Sequence, residues 1–293
     1  MHPILFTLPY VGPFPAYMVL LTLGFALAIW CARREEDRAG RNGDRVVDLG
    51  LLMVLCGLLG ARLLSVLADG HLDDFIHLCT DPARVRPADP HVAAILCASD
   101  AACGPDHLCD EATRLCHPPR DCLAAIKFWH GGLAYYGGFL LAVPVGLWYA
   151  WRRRLGVWRT ADLTAPFIAL GLFFGRMGCF LNGCCHGAEC DLPWAVTFPG
   201  RGAPVHPTQL YEAAAALAIA AVLYVVVRPK KRAHGQVFAA LLVLYGAARF
   251  ALEFVRADDR GIAFGLSTSQ WISLPLVAWG IFLWVRWSRP RAA

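Results

Sequence analysis

The chain has 293 residues, of which 57% are hydrophobic and 17% are charged, and its mean hydropathy is +0.48. Soluble domains carry about 25% charged residues and a lower apolar share, so this composition is typical of a membrane protein. The formal net charge of +5 does not indicate a nucleic-acid partner. The basic residues lie at the ends of apolar runs and not in one patch with interleaved aromatic side chains.

Seven apolar windows follow one another along the chain, each near the length that a helix needs to cross about 30 Å of hydrocarbon. They are centred on residues 17–31, 47–67, 133–151, 163–181, 210–227, 237–254 and 271–285. The first window follows no basic segment and has no small-residue cleavage site, so we do not expect a cleaved signal peptide. The pattern predicts an all-α polytopic membrane protein with about seven transmembrane helices.

The connecting segments differ in charge, and the difference predicts the orientation. Clusters of arginine and lysine follow the first, third, fifth and seventh windows, at residues 33–45, 152–159, 228–232 and 286–291. Under the positive-inside rule such segments face the cytoplasm. The N-terminus is therefore predicted to lie outside and the C-terminus in the cytoplasm.

The polar segment between the second and third windows holds half of the twelve cysteines: Cys79, Cys97, Cys103, Cys109, Cys116 and Cys122. The charge pattern places this segment on the outer, oxidising side, where disulfides persist. We expect a small loop-rich module with up to three disulfides, of unknown pairing. A zinc module is the alternative, although the spacings are not of the paired C-x₂₋₄-C type. The predicted division is membrane domain 1–68, cysteine-rich insert 69–127 and membrane domain 128–293.

Among the charged residues inside the apolar windows, four call for more than a packing explanation: Arg62, Arg176, Arg249 and Glu253. An arginine in hydrocarbon costs at least ~2.5 kcal/mol on insertion scales, so such residues usually face a protein interior or a wet cavity. Arg249 and Glu253 are four residues apart, so a purely structural ion pair on one helix face is an alternative for them. Arg176 has no carboxylate close to it in the sequence, which favours a binding role.

Three polar motifs, of which the first two are glycine-rich, lie at the predicted outer ends of the windows. They read HGGL at 130–133, GRMGCFLNG at 175–183 and HPTQLYE at 206–212. Because they share one predicted depth, their polar side chains are predicted to converge where a lipid headgroup would lie. Taken singly, each histidine is more often an interfacial or capping residue. Together with the buried arginines they indicate a site for an anion.

These motifs resemble those of the prolipoprotein diacylglyceryl transferase family. Members show HGGL, GRxGNFxNG, HPxQLYE and a late YGxxRxxxEFxR stretch, which here reads YGAARFALEFVR at 245–256. Residues 265–270, GLSTSQ, are similar to the start of the family's last span, and Tyr17 falls where the family has a functional tyrosine. A lone HGGL would be a weak signal. Four motifs in family order, with the family's orientation, indicate membership.

One motif departs from the family pattern. Cys179 replaces the usual asparagine, and CCHGA at 184–188 replaces the usual Glu-x-x-Gly-Arg continuation. The departure belongs to a cluster of five residues: Cys179, Cys184, Cys185, His186 and Cys190. We expect one or two disulfides between cysteines of this cluster at the outer face. A metal site built from Cys184, Cys185, His186 and Cys190 is a less favoured alternative, and inert thiols are a third. The departure is also compatible with altered substrate choice.

The resemblance implies transfer of the diacylglyceryl group of phosphatidylglycerol to the lipobox cysteine of a preprolipoprotein. The products are a thioether and glycerol 1-phosphate, and neither a metal nor an organic cofactor is expected. The implied location is the bacterial inner membrane, with the active site toward the periplasmic face. A non-catalytic redox or metal-binding relative is one alternative. An anion transporter is another, but the polar motifs cluster at one face and no inverted repeat is apparent.

The resemblance also implies roles for individual residues. His130 is the predicted general base, because an unperturbed imidazole titrates near pH ~6.5. Arg176 and Arg249 are the predicted phosphate clamp, because a planar guanidinium binds phosphate in a bidentate manner and stays charged. The predicted substrate-binding residues are Tyr17, Gly131, Gly132, Asn182, Gly183, His206, Gln209, Tyr245, Glu253 and Arg256. Among them, Glu253 is expected to position Arg249.

Overall fold

Long α-helices make up most of the structure. The computed structural model describes residues 4–8, 12–68, 72–85, 97, 99, 103, 107–110, 114–126, 134–199, 202–257 and 261–288. The helices are α1 (Ala16–Arg38), α2 (Asp44–Ala68), α3 (Leu72–Thr80), α4 (Tyr135–Arg152), α5 (Val157–Asn182), α6 (Thr208–Ala221), α7 (Gln236–Leu252) and α8 (Thr268–Ser288). A π-helical segment, Val222–Val227, and the short helix Arg228–Lys230 extend α6. The 3₁₀ turns are Pro82–Arg84 and Glu253–Val255.

Short antiparallel strand pairs connect some of the helices. The strands are β1 (Ile4–Leu8), β2 (Gly12–Pro15), β3 (Leu108–Cys109), β4 (Cys116–His117), β5 (Ile262–Ala263) and β6 (Leu266–Ser267). They pair as β1 with β2, β3 with β4, and β5 with β6. In the described part of the chain, the sheets are therefore small hairpins and the helices form the framework.

Six helices of the described part are long and apolar enough to cross a membrane. They are Ala16–Arg38, Asp44–Leu67, Val157–Asn182, Thr208–Lys230, Gln236–Val255 and Thr268–Ser288. They coincide with six of the seven predicted windows, so the prediction of a polytopic helical membrane protein is confirmed. The remaining window corresponds to α4, whose 18 residues include Pro144 and Arg152. The composition of α4 is less apolar than that of the six helices, so α4 is not counted among them.

The chain divides into two compact units: unit 1 is 1–50 with 148–293, and unit 2 is 51–147. In unit 1, α5 packs against α1, α6 and α7, and α7 packs against α8. The core between α5, α6 and α7 consists of small and branched apolar residues: Ala165, Ala169, Ile219, Ala220, Leu223, Val237, Ala240 and Leu241. Since α5 touches three other helices, its C-terminal motif faces several elements at once.

Glycines allow α1 to approach α5 closely. A Cβ atom added at Gly178 would lie 3.0 Å from the Cα of Tyr17, and one added at Gly24 would lie 2.8 Å from the Cβ of Phe174. Small residues at helix contacts are characteristic of membrane helices, where backbones must come close to gain packing energy. This contact fixes Tyr17 beside the last turns of α5.

The start of α5 anchors the basic segments of unit 1. The buried carboxylate of Asp162 accepts hydrogen bonds from Lys231 Nζ at 3.1 Å and from the Gly235 amide at 2.8 Å. Buried Glu36 accepts a hydrogen bond from Arg159 at 3.2 Å. A helix of 26 residues rises about 39 Å at 1.5 Å per residue. The basic segments and the C-terminal motif of α5 therefore lie at opposite ends of this helix.

Unit 2 contains the cysteine-rich insert. Its disulfides are Cys79–Cys122, Cys97–Cys109 and Cys103–Cys116. The prediction of a disulfide-rich insert is confirmed, and the structure supplies the pairing that the sequence left open. Because all six cysteines are bonded in pairs, none of them is available for the zinc-module alternative.

Glycines and one arginine organise the helices of unit 2. Gly60 of α2 and Gly137 of α4 face each other so closely that a Cβ on either would meet the backbone carbonyl of the other. Arg62 Nε donates to the Ala125 carbonyl at 2.8 Å, and its Nη2 donates to the Ala124 carbonyl at 2.5 Å. Arg62 therefore holds the C-terminal part of the insert against α2.

Candidate active site

Three arginines share one carboxylate at the centre of unit 1. Arg176 Nε on α5 lies 2.5 Å from Glu212 Oε2 on α6. Arg256 Nη1 donates to Glu212 Oε1 at 2.5 Å, and Arg249 Nη1 lies 3.6 Å from the same oxygen. Glu212 is only 8% exposed. The late motif at the end of α7 and the motif at the end of α5 therefore meet at Glu212, in the second turn of α6.

A second carboxylate completes this arginine cluster, which consists of Arg176, Glu212, Arg249, Glu253 and Arg256. Arg249 Nη1 lies 2.7 Å from Glu253 Oε2, but the two atoms lack hydrogen-bond geometry, so the contact is an ion pair only. Arg249 Nη2 donates to Ser269 Oγ at 2.9 Å. Three guanidinium groups face two carboxylates, so the cluster carries a net charge of +1. A surplus of guanidinium groups over carboxylates among these five residues favours binding of an anion.

The arginine cluster lines a cleft with apolar walls. Its polar lining comes from Arg176, Glu212, Tyr245 and Arg249. The walls are aliphatic: Leu172, Ala215, Ala216, Ile219, Ala248 and Leu252. A cationic end and aliphatic walls suit a ligand with an anionic group and a hydrocarbon portion.

A turn after α5 gathers three cysteines. Gly183 ends α5 in the left-handed conformation, with φ of 76°, and Cys185 also has a positive φ of 62°. The turn brings the Cys184 amide to the Cys179 carbonyl, 3.2 Å away. As a result, the sulfur atoms of Cys179, Cys184 and Cys185 lie within 4.8 Å of one another. We refer to these three side chains as the thiol cluster.

The start of α6 holds this turn in place. Gln209 Nε2 donates to the Cys184 carbonyl at 2.5 Å, and Thr208 Oγ1 donates to the Cys185 carbonyl at 2.8 Å. Both donor residues are completely buried. Gln209, predicted to bind substrate, therefore binds the backbone of the turn.

The structure holds the cysteines of this region as free thiols, which differs from the disulfides expected there. The backbone bonds to α6 bring three sulfurs together and do not select one pair. The less favoured metal alternative joined Cys184 and Cys185 with His186 and Cys190. The structure instead groups the first two with Cys179.

The thiol cluster is adjacent to positive charge. Hydrogen bonds from Cys179 and Cys184 lower the pKa of the Cys185 thiol below its ordinary value. The charges of Arg176 and Arg256 act in the same direction. Opposite charge and hydrogen bonding therefore favour the thiolate form at Cys185. Against the lowering effect of Cys179, the pKa of the Cys184 thiol is raised by its hydrogen bond to Cys185 and by burial.

The remaining predicted residues occupy several places. Tyr17 lies beside Gly178, and Tyr245 forms part of the cleft. Asn182 is exposed, and its side chain is within hydrogen-bonding reach of the Cys184 sulfur. Gly183 caps α5, and Arg256 belongs to the arginine cluster. His130, Gly131 and Gly132 lie outside the described residues.

His206 is positioned differently from the prediction. Its Nδ1 lies 3.4 Å from the Tyr211 hydroxyl, and its backbone amide donates to the Ala188 carbonyl at 2.9 Å. The described lining of the cleft does not include it. His206 therefore packs against the loop after α5 and not against the arginines.

Glu212 is the site residue that sequence reasoning missed. It stands inside the HPTQLYE motif but was assigned no role, and Arg176 was assigned no carboxylate partner. The signal was present, because a carboxylate inside an apolar window marks a functional or paired position by default. Its partners are on other helices, where sequence spacing does not reveal them.

Comparison with known proteins adds an independent observation. A family model described as prolipoprotein diacylglyceryl transferase matches residues 3–85 and 114–286 of the chain. The matched ranges include both arginine-bearing motifs and the thiol cluster. They leave out 86–113, the part of the insert that contains Cys97, Cys103 and Cys109.

The chain is also similar to bacterial proteins named phosphatidylglycerol–prolipoprotein diacylglyceryl transferase. With the one from Bordetella parapertussis it shares 42% identity over 173 residues, which is 57% of this chain and 66% of the relative. With the one from Solidesulfovibrio magneticus it shares 42% over 174 residues, 56% of this chain and 64% of the relative. These matches span just under two thirds of each relative's length.

Proposed function

Because the chain belongs to the prolipoprotein diacylglyceryl transferase family, we propose that it transfers the diacylglyceryl group of phosphatidylglycerol to the lipobox cysteine of preprolipoproteins. The second product is glycerol 1-phosphate. The cleft with a net charge of +1 and aliphatic walls supports this proposal most directly. A phospholipid carries one phosphate charge beside hydrocarbon, which matches both features of the cleft.

The reaction is an alkyl transfer, and its demands suit the arginine cluster. The acceptor sulfur forms a bond to the terminal glyceryl carbon, the bond from that carbon to the phosphate oxygen breaks, and the electron pair remains on the phosphate. Negative charge on the phosphate therefore grows in the transition state. Removing one hydrogen-bond donor that points at a growing negative charge typically slows a reaction by about 10²–10³-fold. We assign this role to Arg176 and Arg249.

The carboxylates of the cluster hold the arginines in position. Glu212 contacts three guanidinium groups and Glu253 contacts one, so each arginine is fixed before the phosphate arrives. Preorganised donors cost no reorganisation during the reaction. Arg256, with a side chain only 1% exposed, is the most deeply buried of the three and serves to position Glu212.

The acceptor thiol requires activation, because the thiolate is the nucleophile and a free thiol has a pKa of about 8.5. We assign the role of general base to His130, on residue type and motif. Tyr17, Asn182 and Tyr245 are assigned to the headgroup oxygens. Tyr245 lines the cleft, Tyr17 on α1 lies against Gly178, and Asn182 at the end of α5 lies beside the Cys184 sulfur.

We place the protein in the bacterial inner membrane with its N-terminus outside and its C-terminus in the cytoplasm. The basic segments at the start of α5 support this orientation, since the arginine cluster lies toward the other end of that helix. The site would then open toward the periplasmic face, where preprolipoproteins are presented. Both substrates are concentrated at that surface.

A transfer assay with purified full-length protein in detergent tests this function. The substrates are phosphatidylglycerol and a lipobox peptide, with a peptide carrying serine at the acceptor position as the matched control. We expect a diacylglyceryl mass gain on the cysteine peptide only, with release of one glycerol phosphate per peptide. Absence of any mass gain from folded protein, with several anionic lipids and lipobox sequences, would contradict the proposal.

A further inference from the structure

The thiol cluster has the composition and the geometry of a metal site. Its three sulfur atoms lie within 4.8 Å of one another, and all three cysteines are free thiols. Zinc–sulfur bonds of about 2.3 Å place the sulfurs of a tetrahedral site about 3.8 Å apart. A contraction of about 1 Å at most would therefore bring Cys179, Cys184 and Cys185 to bonding distance.

We propose that Cys179, Cys184 and Cys185 bind one Zn²⁺ ion, and that its fourth coordination position takes the acceptor thiol of the substrate. Three protein ligands with one open position is the arrangement of catalytic zinc sites, whereas structural sites are closed by four. The second half of this proposal rests on the proposed function. It departs from the expectation that the reaction needs no metal.

The turn that bears the ligands is built before any ion binds. Gln209 and Thr208, both completely buried, hold the carbonyls of Cys184 and Cys185. Gly183 supplies the left-handed conformation that reverses the chain after α5. Contacts that orient metal ligands matter for affinity, and their loss typically weakens metal binding about 10–100-fold.

Charge balance favours the same ion. Three thiolates around Zn²⁺ have a net charge of −1, and the adjoining arginine cluster has a net charge of +1. Arg176 and Arg256 act electrostatically on Cys185, so the two clusters are near enough to compensate each other. Zinc also has no redox chemistry of its own, which suits an alkyl transfer with no electron acceptor.

The position of the cluster suits delivery of a thiol to the lipid. Cys179 follows Arg176 by three residues on α5, so the two side chains lie on the same helix face, about 5–6 Å apart at Cβ. A thiol bound to the ion would stand beside the phosphate clamp. Coordination deprotonates a thiol outright. Its proton leaves to solvent or base, the sulfur then forms the bond to the glyceryl carbon, and the phosphate takes the electron pair.

His186 is the alternative fourth ligand. Its Nδ1 is buried and makes no hydrogen bond within the described structure. Its ring packs against Phe198, with centroids 5.6 Å apart, and it does not belong to the set of atoms within 4.8 Å. If His186 closed the site, the ion would be structural and could not bind the acceptor.

Co²⁺ substitution of the purified full-length protein in detergent tests the site. We expect one Co²⁺ per chain, with a thiolate-to-cobalt charge-transfer band and the visible bands of tetrahedral cobalt. Cys184→Ser removes a ligand, so it is expected to weaken binding by more than the roughly 10–100-fold that follows loss of a ligand-orienting contact. Cys190→Ser is the matched control, because Cys190 is a free thiol outside the cluster, and its spectrum should equal that of the wild type.

Two further measurements distinguish loss of metal binding from misfolding of the Cys184→Ser variant. In the wild type, bound Zn²⁺ should protect three thiols per chain from maleimide, as counted by mass spectrometry. Cys179→Asn provides a second ligand deletion. Failure of the wild type to bind one ion per chain, or equal binding by Cys184→Ser, overturns the metal site.

The role of the open position is tested with peptides. A lipobox cysteine peptide should shift the cobalt bands, and the serine peptide should leave them unchanged. Equal spectra with both peptides, loss of the tetrahedral spectrum in His186→Ala, or transfer at the wild-type rate by metal-free protein overturns the acceptor role. If the cysteine peptide shifts the bands but the zinc-loaded protein transfers no lipid, the metal site is supported and the proposed function fails.

Discussion

Replacement of Glu212 by glutamine is the most informative single change at the arginine cluster. The substitution keeps the side-chain size and removes one negative charge, so the net charge of the cluster rises from +1 to +2. The amide retains one oxygen, so one of Arg176 and Arg256 keeps an uncharged acceptor and the other loses its carboxylate oxygen at 2.5 Å as a partner. The Arg256 side chain is 1% exposed, so water cannot replace that partner.

The expected loss of stability follows from the burial of Glu212, and the expected loss of rate follows from the displacement of Arg176. Removing one partner of a buried ion pair costs about 3–5 kcal/mol of stability. At 2–4 °C per kcal/mol, the midpoint of thermal unfolding should fall by roughly 6–20 °C. A displacement of Arg176 by about 1 Å should slow transfer by about 10²-fold, equivalent to about 2.7 kcal/mol in activation free energy.

The assay compares transfer rate and thermal unfolding for three variants. Glu212→Asp retains the charge on a shorter side chain and should fall between the wild type and Glu212→Gln. Glu189→Gln, at an exposed carboxylate of the loop after α5, is the matched control and should resemble the wild type. If Glu212→Gln unfolded within about 2 °C of the wild type and transferred lipid within about threefold of its rate, the shared-carboxylate account would be refuted.

Four further predictions concern other parts of the chain. Arg249→Lys keeps the charge but loses the planar fork, so kcat/KM for lipid transfer should fall at least about tenfold. His130→Gln should slow transfer and flatten the rate–pH profile near pH ~6.5, and an unchanged profile would remove His130 as the base. Gly60→Val should separate α2 from α4 and lower the unfolding midpoint, which a thermal scan measures. Joint replacement of Cys79 and Cys122 by serine should cost about 2–5 kcal/mol of insert stability, seen as faster proteolysis of the insert.

The helical framework was predictable because its signal is local. Runs of about 20 apolar residues mark a span wherever they occur, and six of the predicted windows coincide with such helices. The third window is weaker because α4 has only 18 residues, with Pro144 and Arg152 among them. The disulfide pairing was not predictable, since it depends on how the insert folds.

The arginine cluster was predictable only in part. The pair of Arg249 and Glu253 was visible from its spacing of four residues on one helix. Glu212 was hidden because its partners lie on α5 and at the end of α7, and pairing between helices depends on packing. His206 is likewise held by the loop after α5, through contacts that its motif does not indicate.

The thiol cluster depended on backbone geometry. The cysteine spacing was compatible with disulfides, a metal site or inert thiols. The structure distinguishes a three-sulfur cluster because Gly183 and Cys185 adopt positive φ and because two buried side chains of α6 hold the turn. These contacts come from a helix that begins more than twenty residues later in the chain.

The central claim is that the arginine cluster stabilises the leaving phosphate of an anionic phospholipid. It is tested most directly by the transfer rate of Arg176→Ala, with Arg152→Ala at an exposed position of α4 as control. We predict a loss of at least about 10²-fold in diacylglyceryl transfer for Arg176→Ala, with matching loss of glycerol phosphate release, and an unchanged rate for the control. Transfer by folded Arg176→Ala at the wild-type rate would contradict this account.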